Sequence, residues 1–171
     1  MADATPSAGP RLSDLLAADA ITIGAEAPDW RAAVRAAGDR LVQGGATRAA
    51  YTDEMIAAVE ELGPYMVIAP GIALAHSRPS PAVLRAGISI VTLRQPVAFG
   101  HPQNDPVRLV VGLAALDEEA HVTALSTLAE FLADPARLEA LIAAETPDQV
   151  RHMVARFEEE QAAAATEGIP T

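Results

Sequence analysis

Tyr65-Met66-Val67-Ile68-Ala69-Pro70-Gly71-Ile72-Ala73-Leu74-Ala75-His76 is the stretch on which the reading of the fold turns. Two short apolar runs, Tyr65–Ile68 and Ile72–Ala75, are separated by the turn residues Pro70-Gly71. A strand that is apolar at successive positions, and not only at alternate ones, is buried on both faces. Two more runs of this kind follow, Ile88–Leu93 and Val107–Leu113, bounded by Ser80-Pro81, Arg94-Gln95-Pro96 and Asn104-Asp105-Pro106. A sheet that hides both faces needs helices on each of them.

The flanking sequence supplies those helices. On the amino-terminal side, Ser13 caps a short predicted helix to Ala18, and Ile21–Ile23 alternates as a short strand. Pro28 opens a helix with the stripe Trp30, Val34, Ala37, Leu41, stopped by Gly44-Gly45. A second helix runs from Thr47 to Leu62, with Tyr51, Met55, Val59 and Leu62 on one face, and Gly63-Pro64 ends it. On the carboxyl-terminal side, Asp117 caps a helix with the stripe Val122, Leu125, Ala129, Leu132, and Asp134-Pro135 breaks it. Ala136–Ala144 forms another helix. Thr146-Pro147-Asp148-Gln149 then starts a last one that buries Val150, Met153, Val154 and Phe157. The prediction is a single α/β domain, 11–158, with a mixed parallel/antiparallel sheet of about five strands flanked by helices on both faces. Residues 1–10 read as a flexible arm and 159–171 as a flexible tail.

Composition narrows the function. The chain has 171 residues, half of them apolar, so wholesale disorder is excluded. Twelve basic residues against 23 acidic ones leave a net charge of −11, which opposes nucleic acid and anionic membrane surfaces. No apolar run approaches the roughly 20 residues of a membrane span. Met1–Pro10 lacks the features of a secretory signal, so the predicted location is cytoplasmic. There is no cysteine, hence no disulfide, no thiolate metal site and no cysteine nucleophile. No phosphate loop, dinucleotide fingerprint or nucleophile elbow is present, and no histidine pair has helical metal-site spacing. Neither metal nor cofactor is expected.

Four histidines remain to carry chemistry. His152 falls off its helix stripe and reads as a solvated surface residue, and His101 sits in the polar turn His101-Pro102-Gln103-Asn104. His76 stands at a strand's carboxyl end, where α/β proteins bind ligands, with Ser77 and Arg78 next to it; an ordinary loop histidine fits the position as well. His121 lies in the first turn of the helix capped by Asp117, near free backbone N–H groups that favour an anion. By itself it reads as a helix-surface residue. The pair makes a sharper case. Imidazole is a good nucleophile and largely neutral near pH 7, so one ring can take up a phosphoryl group while a second donates hydrogen bonds to its oxygens. Arg78 could neutralise the phosphoryl charge.

The segment Gly63–Pro79 resembles the active-site segment of enzyme IIA components of the bacterial phosphoenolpyruvate-dependent sugar phosphotransferase system, in the mannitol/fructose class and its ascorbate-type branch. Further matches are Pro96–His101, Asn104–Val107, Val111–Ala115 and Asp117–Leu132, so the likeness spans roughly Leu12 to Phe157. It implies that His76 accepts a phosphoryl group on Nε2 from the histidine-containing phosphocarrier protein. It implies transfer onward to a cysteine of an enzyme IIB coupled to a membrane permease, IIC, with His121 assisting and Ser77, Arg78 and His101 as phosphoryl- or partner-binding residues. Since the chain has no cysteine, that IIB must be a separate polypeptide. Two departures stand out. Ala75 occupies a position that is often proline in the family, and Val59-Glu60-Glu61-Leu62 lacks the helix arginine of mannitol-type members, so the cationic role moves to Arg78. Two other functions share these residues: a regulatory IIA-like domain, to be told apart by its co-encoded partners, and a degenerate binding module, which a competent donor would never label.

Overall fold

Among the described residues, five strands, β1 (Leu16–Ala25), β2 (Val67–Ala69), β3 (Ile72–His76), β4 (Gly87–Val97) and β5 (Val107–Ala114), form one sheet in the spatial order β1-β4-β5-β3-β2. The pair β1·β4 and the pair β3·β5 are parallel, while β4·β5 and β2·β3 are antiparallel. The sheet is therefore mixed, as predicted. The structure is a computed structural model that describes residues 10–167. Among these residues there are six helices, α1 (Leu12–Leu15), α2 (Trp30–Gln43), α3 (Ala49–Leu62), α4 (Glu118–Leu132), α5 (Pro135–Ile142) and α6 (Pro147–Glu167). None is long and apolar enough to cross a membrane.

Strand alternation sorts the core into two layers. Ala73, Ala75, Val91, Val110 and Ala114 face α2 and α3, where they meet Ala33, Val34, Ala37, Leu41, Tyr51 and Met55. Ile72, Leu74, Ile88, Ile90, Leu109, Val111 and Leu113 face α1, α4, α5 and α6. This is why the strands read as continuous apolar runs: both faces are dry.

Several boundaries differ from the sequence reading, each for a local reason. The first helix ends at Leu15, and the chain then joins β4 as a ten-residue strand, because burial of Leu16, Ala20 and Ile21 along the sheet edge outweighs helix propensity. Strand β4 runs through Arg94-Gln95-Pro96 to Val97, which pairs with Val107 across an irregularity that accommodates the proline. Asp29 and not Pro28 begins α2, its carboxylate accepting the Ala32 N–H at 2.8 Å. The buried face of α4 is Ala124, Leu128 and Phe131, leaving Val122 61% exposed, and Leu62 at the end of α3 is 66% exposed. Residues 159–167, read as tail, continue α6 instead, because Gln161-Ala162-Ala163-Ala164-Ala165 is strong helix former. The predicted arm, apart from Pro10, and the Gly168-Ile169-Pro170 end lie outside the described residues.

Candidate active site

The period of two along β3 sends His76 to the same face as Ile72 and Leu74, the face that α4 covers. It sends Ser77 to the opposite side, toward α3. Because β3 and β5 are parallel, their carboxyl ends coincide, and His76 pairs in register with Leu113. The chain leaves β5, passes Ala115-Leu116 and enters α4 at Asp117, whose carboxylate accepts the Ala120 N–H at 2.8 Å. His121 thereby arrives in the first turn of α4 directly across from His76. The ring centroids are 5.4 Å apart, with planes inclined at 42°.

His76 is half-buried, and its Nδ1 lies 2.8 Å from the Leu74 carbonyl oxygen. A carbonyl can only accept, so Nδ1 carries the proton and Nε2 carries the lone pair of the neutral ring. Desolvation holds the ring's pKa below its ordinary 6.5, and the neighbouring His121 pushes the same way, against the Leu74 hydrogen bond. The result is a neutral imidazole of fixed tautomer with its unprotonated nitrogen turned from the backbone. Tyr65 packs edge-on against this ring at 5.3 Å, and its hydroxyl donates to the His76 carbonyl at 3.1 Å.

An open cleft of about 610 Å³ lies over the two histidines, between α3 and the start of α4. Ser77, Arg78, Glu54, Glu61 and Glu118 also line it. Arg78 is exposed and is the cation of the lining. Thus His76, His121, Ser77 and Arg78, all singled out from sequence, come together. His101 does not join them. It is absent from the cleft lining, and its Nδ1 accepts the backbone N–H groups of Gln103 and Asn104 at 3.2 and 3.0 Å, closing its own turn. Asp105 serves the same turn by accepting from the N–H groups of Phe99, Gly100 and His101. Among the described residues no cluster of His, Asp or Glu could hold a metal ion.

A ring nitrogen with a free lone pair, a second imidazole, one guanidinium and a helix amino terminus thus surround one open cleft, an arrangement able to attract and hold an anion. Residues 14–156 match the family model described as phosphoenolpyruvate-dependent sugar phosphotransferase system, EIIA 2. The chain belongs to this family. EIIA 2 proteins are phosphotransferases that relay phosphoryl groups through phosphohistidine, and this EIIA is a phosphoryl-transfer component of such a system. It is 36% identical over 148 residues to the ascorbate-specific EIIA component of Salmonella choleraesuis, covering 85% of this chain and 96% of that one. In three dimensions it resembles the mannitol-specific cryptic phosphotransferase enzyme IIA CmtB of Escherichia coli, with a TM-score of 0.77, 31% identity and coverage of 86% of this chain and 99% of the other. It also resembles Escherichia coli mannitol enzyme IIA in its complex with phosphorylated mannitol enzyme IIB, with a TM-score of 0.73, 30% identity and coverage of 82% and 99%.

Two residues around the candidate site are not legible as such in the sequence. Tyr65 reads from sequence as part of a strand run, but it precedes β2 and buttresses His76. Tyr51 reads as part of the core stripe of α3 and is 1% exposed, yet its hydroxyl accepts the Ser77 N–H at 2.9 Å and donates to the Leu113 carbonyl at 2.7 Å. Burial pushes that phenol up to about 12, so it stays a donor throughout the physiological range. The available signal was a hydroxylated aromatic at an otherwise aliphatic core position, which usually reaches a polar partner.

Proposed function

We propose that His76 takes a phosphoryl group on Nε2 from the phosphohistidine of the histidine-containing phosphocarrier protein and passes it to a cysteine of a separate enzyme IIB, in a cytoplasmic relay serving a IIC permease for an ascorbate-like sugar. The observation that carries this reading is the Nδ1 contact with the Leu74 carbonyl, which leaves Nε2 nucleophilic opposite His121. In the first step the donor's P–N bond breaks as the bond from phosphorus to Nε2 forms. The Nδ1 proton stays on His76, and the Leu74 carbonyl stabilises the positive charge that the ring acquires. In the second step a IIB thiolate attacks phosphorus and the P–Nε2 bond breaks, returning the neutral ring. His121, Arg78 and the α4 amino terminus stabilise the phosphoryl oxygens. The acidic cleft margin, Glu54, Glu61 and Glu118, on a chain of net charge −11, favours a basic donor by electrostatic steering.

Incubation with phosphoenolpyruvate, enzyme I and the phosphocarrier tests the reading. The expected product carries an acid-labile, alkali-stable phosphate on His76 Nε2 that a cognate IIB removes. A label that no IIB accepts would favour the regulatory alternative, and a protein that is never labelled would end the proposal. Replacing His121 by alanine is expected to leave His76 as the labelled residue but to slow transfer about 100-fold, the scale of losing one donor to a developing charge. A single-turnover rate equal to wild type would remove His121 from the mechanism.

The pH dependence has a definite sign. Because the folded His76 pKa lies below 6.5, the folded chain binds fewer protons there than the unfolded one between that lowered value and 6.5. The contribution to stability is full above 6.5 and is lost as pH falls through the folded value. The ring likewise remains a nucleophile below 6.5. An NMR titration should place the His76 midpoint below 6.5, and a midpoint at or above that value contradicts the burial argument.

A further inference from the structure

The hydrogen bonds between β3 and β5 have a fixed rhythm. The Leu109 N–H donates to the Gly71 carbonyl at 3.0 Å, and Ile72 is in register with Leu109. In a parallel ladder every second residue of one strand then both donates to and accepts from the other. Carried along the register to His76 opposite Leu113, the next rung runs from the Ser77 N–H to the Leu113 carbonyl. Instead, both groups bind the Tyr51 hydroxyl, which accepts the N–H at 2.9 Å and donates to the carbonyl at 2.7 Å. A phenol oxygen from α3 occupies the place of a ladder bond, and β3 ends at His76, the residue before it.

The same helix holds the departing chain at a second point. Glu54, one turn after Tyr51, accepts the Ser80 hydroxyl at 2.7 Å, and the Ser80 oxygen accepts the Ala82 N–H at 3.2 Å. The segment between the two ties contains Arg78. On the other side, Tyr65 holds the His76 carbonyl. Short segments fixed at both ends keep their side chains in one orientation, and transfer between two protein-bound rings depends steeply on such placement.

We infer that Tyr51, assisted by Glu54, is a positioning residue for phosphoryl transfer: its hydroxyl replaces the last β3·β5 rung and so sets the direction in which His76 and Arg78 face the cleft. The inference rests on His76 as the acceptor proposed above. Tyr51→Phe keeps the buried ring and removes only the oxygen. The Ser77 N–H and the Leu113 carbonyl can then close on each other, so the fold persists while the segment after His76 shifts toward β5. The expected result is a single-turnover labelling rate at least tenfold below wild type with little change in melting temperature. In the unphosphorylated protein, ¹⁵N NMR should show His76 passing from one Nδ1–H tautomer to a mixture, a change that a purely structural role for Tyr51 would not produce. A rate within twofold of wild type with the tautomer unchanged overturns the inference. Should Tyr51→Phe not fold, Ser80→Ala carries the test: it leaves Tyr51 in place and removes the hydroxyl that joins Glu54 to the Ala82 N–H. A several-fold slower transfer supports the inference, and a wild-type rate overturns it. Failure of the acceptor assignment is distinguishable, because unlabelled wild-type protein would still report its His76 tautomer.

Discussion

His76→Gln is expected to abolish phosphorylation by the phosphocarrier, a loss of at least about 10³-fold, the scale of removing a covalent nucleophile. The size of the effect follows from the absence of a substitute. Glutamine fills similar space and can hydrogen-bond, but its amide nitrogen has no available lone pair. His121 is close enough to be considered, with its ring centroid 5.4 Å from that of His76. Among the described residues, however, its ring has no hydrogen bond that fixes the tautomer as the Leu74 carbonyl does for His76. The variant should remain folded. His76 is half-buried at a strand end, and its side chain gives up one hydrogen bond, worth about 1 kcal/mol. The circular dichroism spectrum should therefore match wild type and the melting temperature fall by only about 2–4 °C, while labelling disappears. Transfer to His76→Gln at the wild-type rate would refute the acceptor assignment outright.

How much of this was legible beforehand differs from element to element. The strands were readable because burial on both faces leaves an uninterrupted apolar run, as in Ile72-Ala73-Leu74-Ala75 and Leu109-Val110-Val111. The pairing of His76 with His121 was readable too, because each lies beside a strand's carboxyl end and an α/β sheet gathers such ends. What resisted reading depends on contacts remote in sequence. Ile21–Ile23 is legible as a strand, but Leu16–Ala18 ahead of it reads as helix, and the pairing of β1 with β4 is decided some 70 residues away. A stripe through Val122 and one through Ala124 both satisfy helical spacing, and the face that α4 buries is Ala124, Leu128 and Phe131. His101 enters the candidate set only through the resemblance of Pro96–His101, and its ring is used by its own turn. Tyr51 is the sharpest case. Its ring obeys the core pattern, so nothing in the pattern reports that its oxygen stands in a β ladder.

Gly112→Ala is the second large effect, and it acts on stability. Gly112 lies in β5, the central strand, between Ala75 of β3 and Ser89 of β4, on the face that packs against α2. A methyl group there would stand against the Ser89 hydroxyl well inside contact distance, 3.2 Å from a Leu41 methyl and 3.4 Å from the Ala37 carbonyl. The hydroxyl cannot simply turn aside. It is fully buried and donates to the Ala37 carbonyl at 2.8 Å, so moving it leaves polar groups unpaired in the core. Overpacking costs about 1–3 kcal/mol and the broken buried hydrogen bond about 1–3 kcal/mol more, together about 2–5 kcal/mol. For a domain of this size that corresponds to a melting temperature lower by roughly 5–15 °C. The cause can be isolated with Ser89→Ala in the Gly112→Ala background, which removes the obstructing oxygen. The double variant should be more stable than the sum of the two single effects predicts. Simple additivity would show that the Cβ–hydroxyl collision is not the source. The folded fraction of Gly112→Ala should also be labelled more slowly, because the next residue, Leu113, supplies the carbonyl that holds Tyr51, and the same strand leads into the helix that carries His121. A Gly112→Ala protein as stable as wild type would mean that α2 can withdraw from the sheet without cost, which its buried Ala33, Val34, Ala37 and Leu41 argue against.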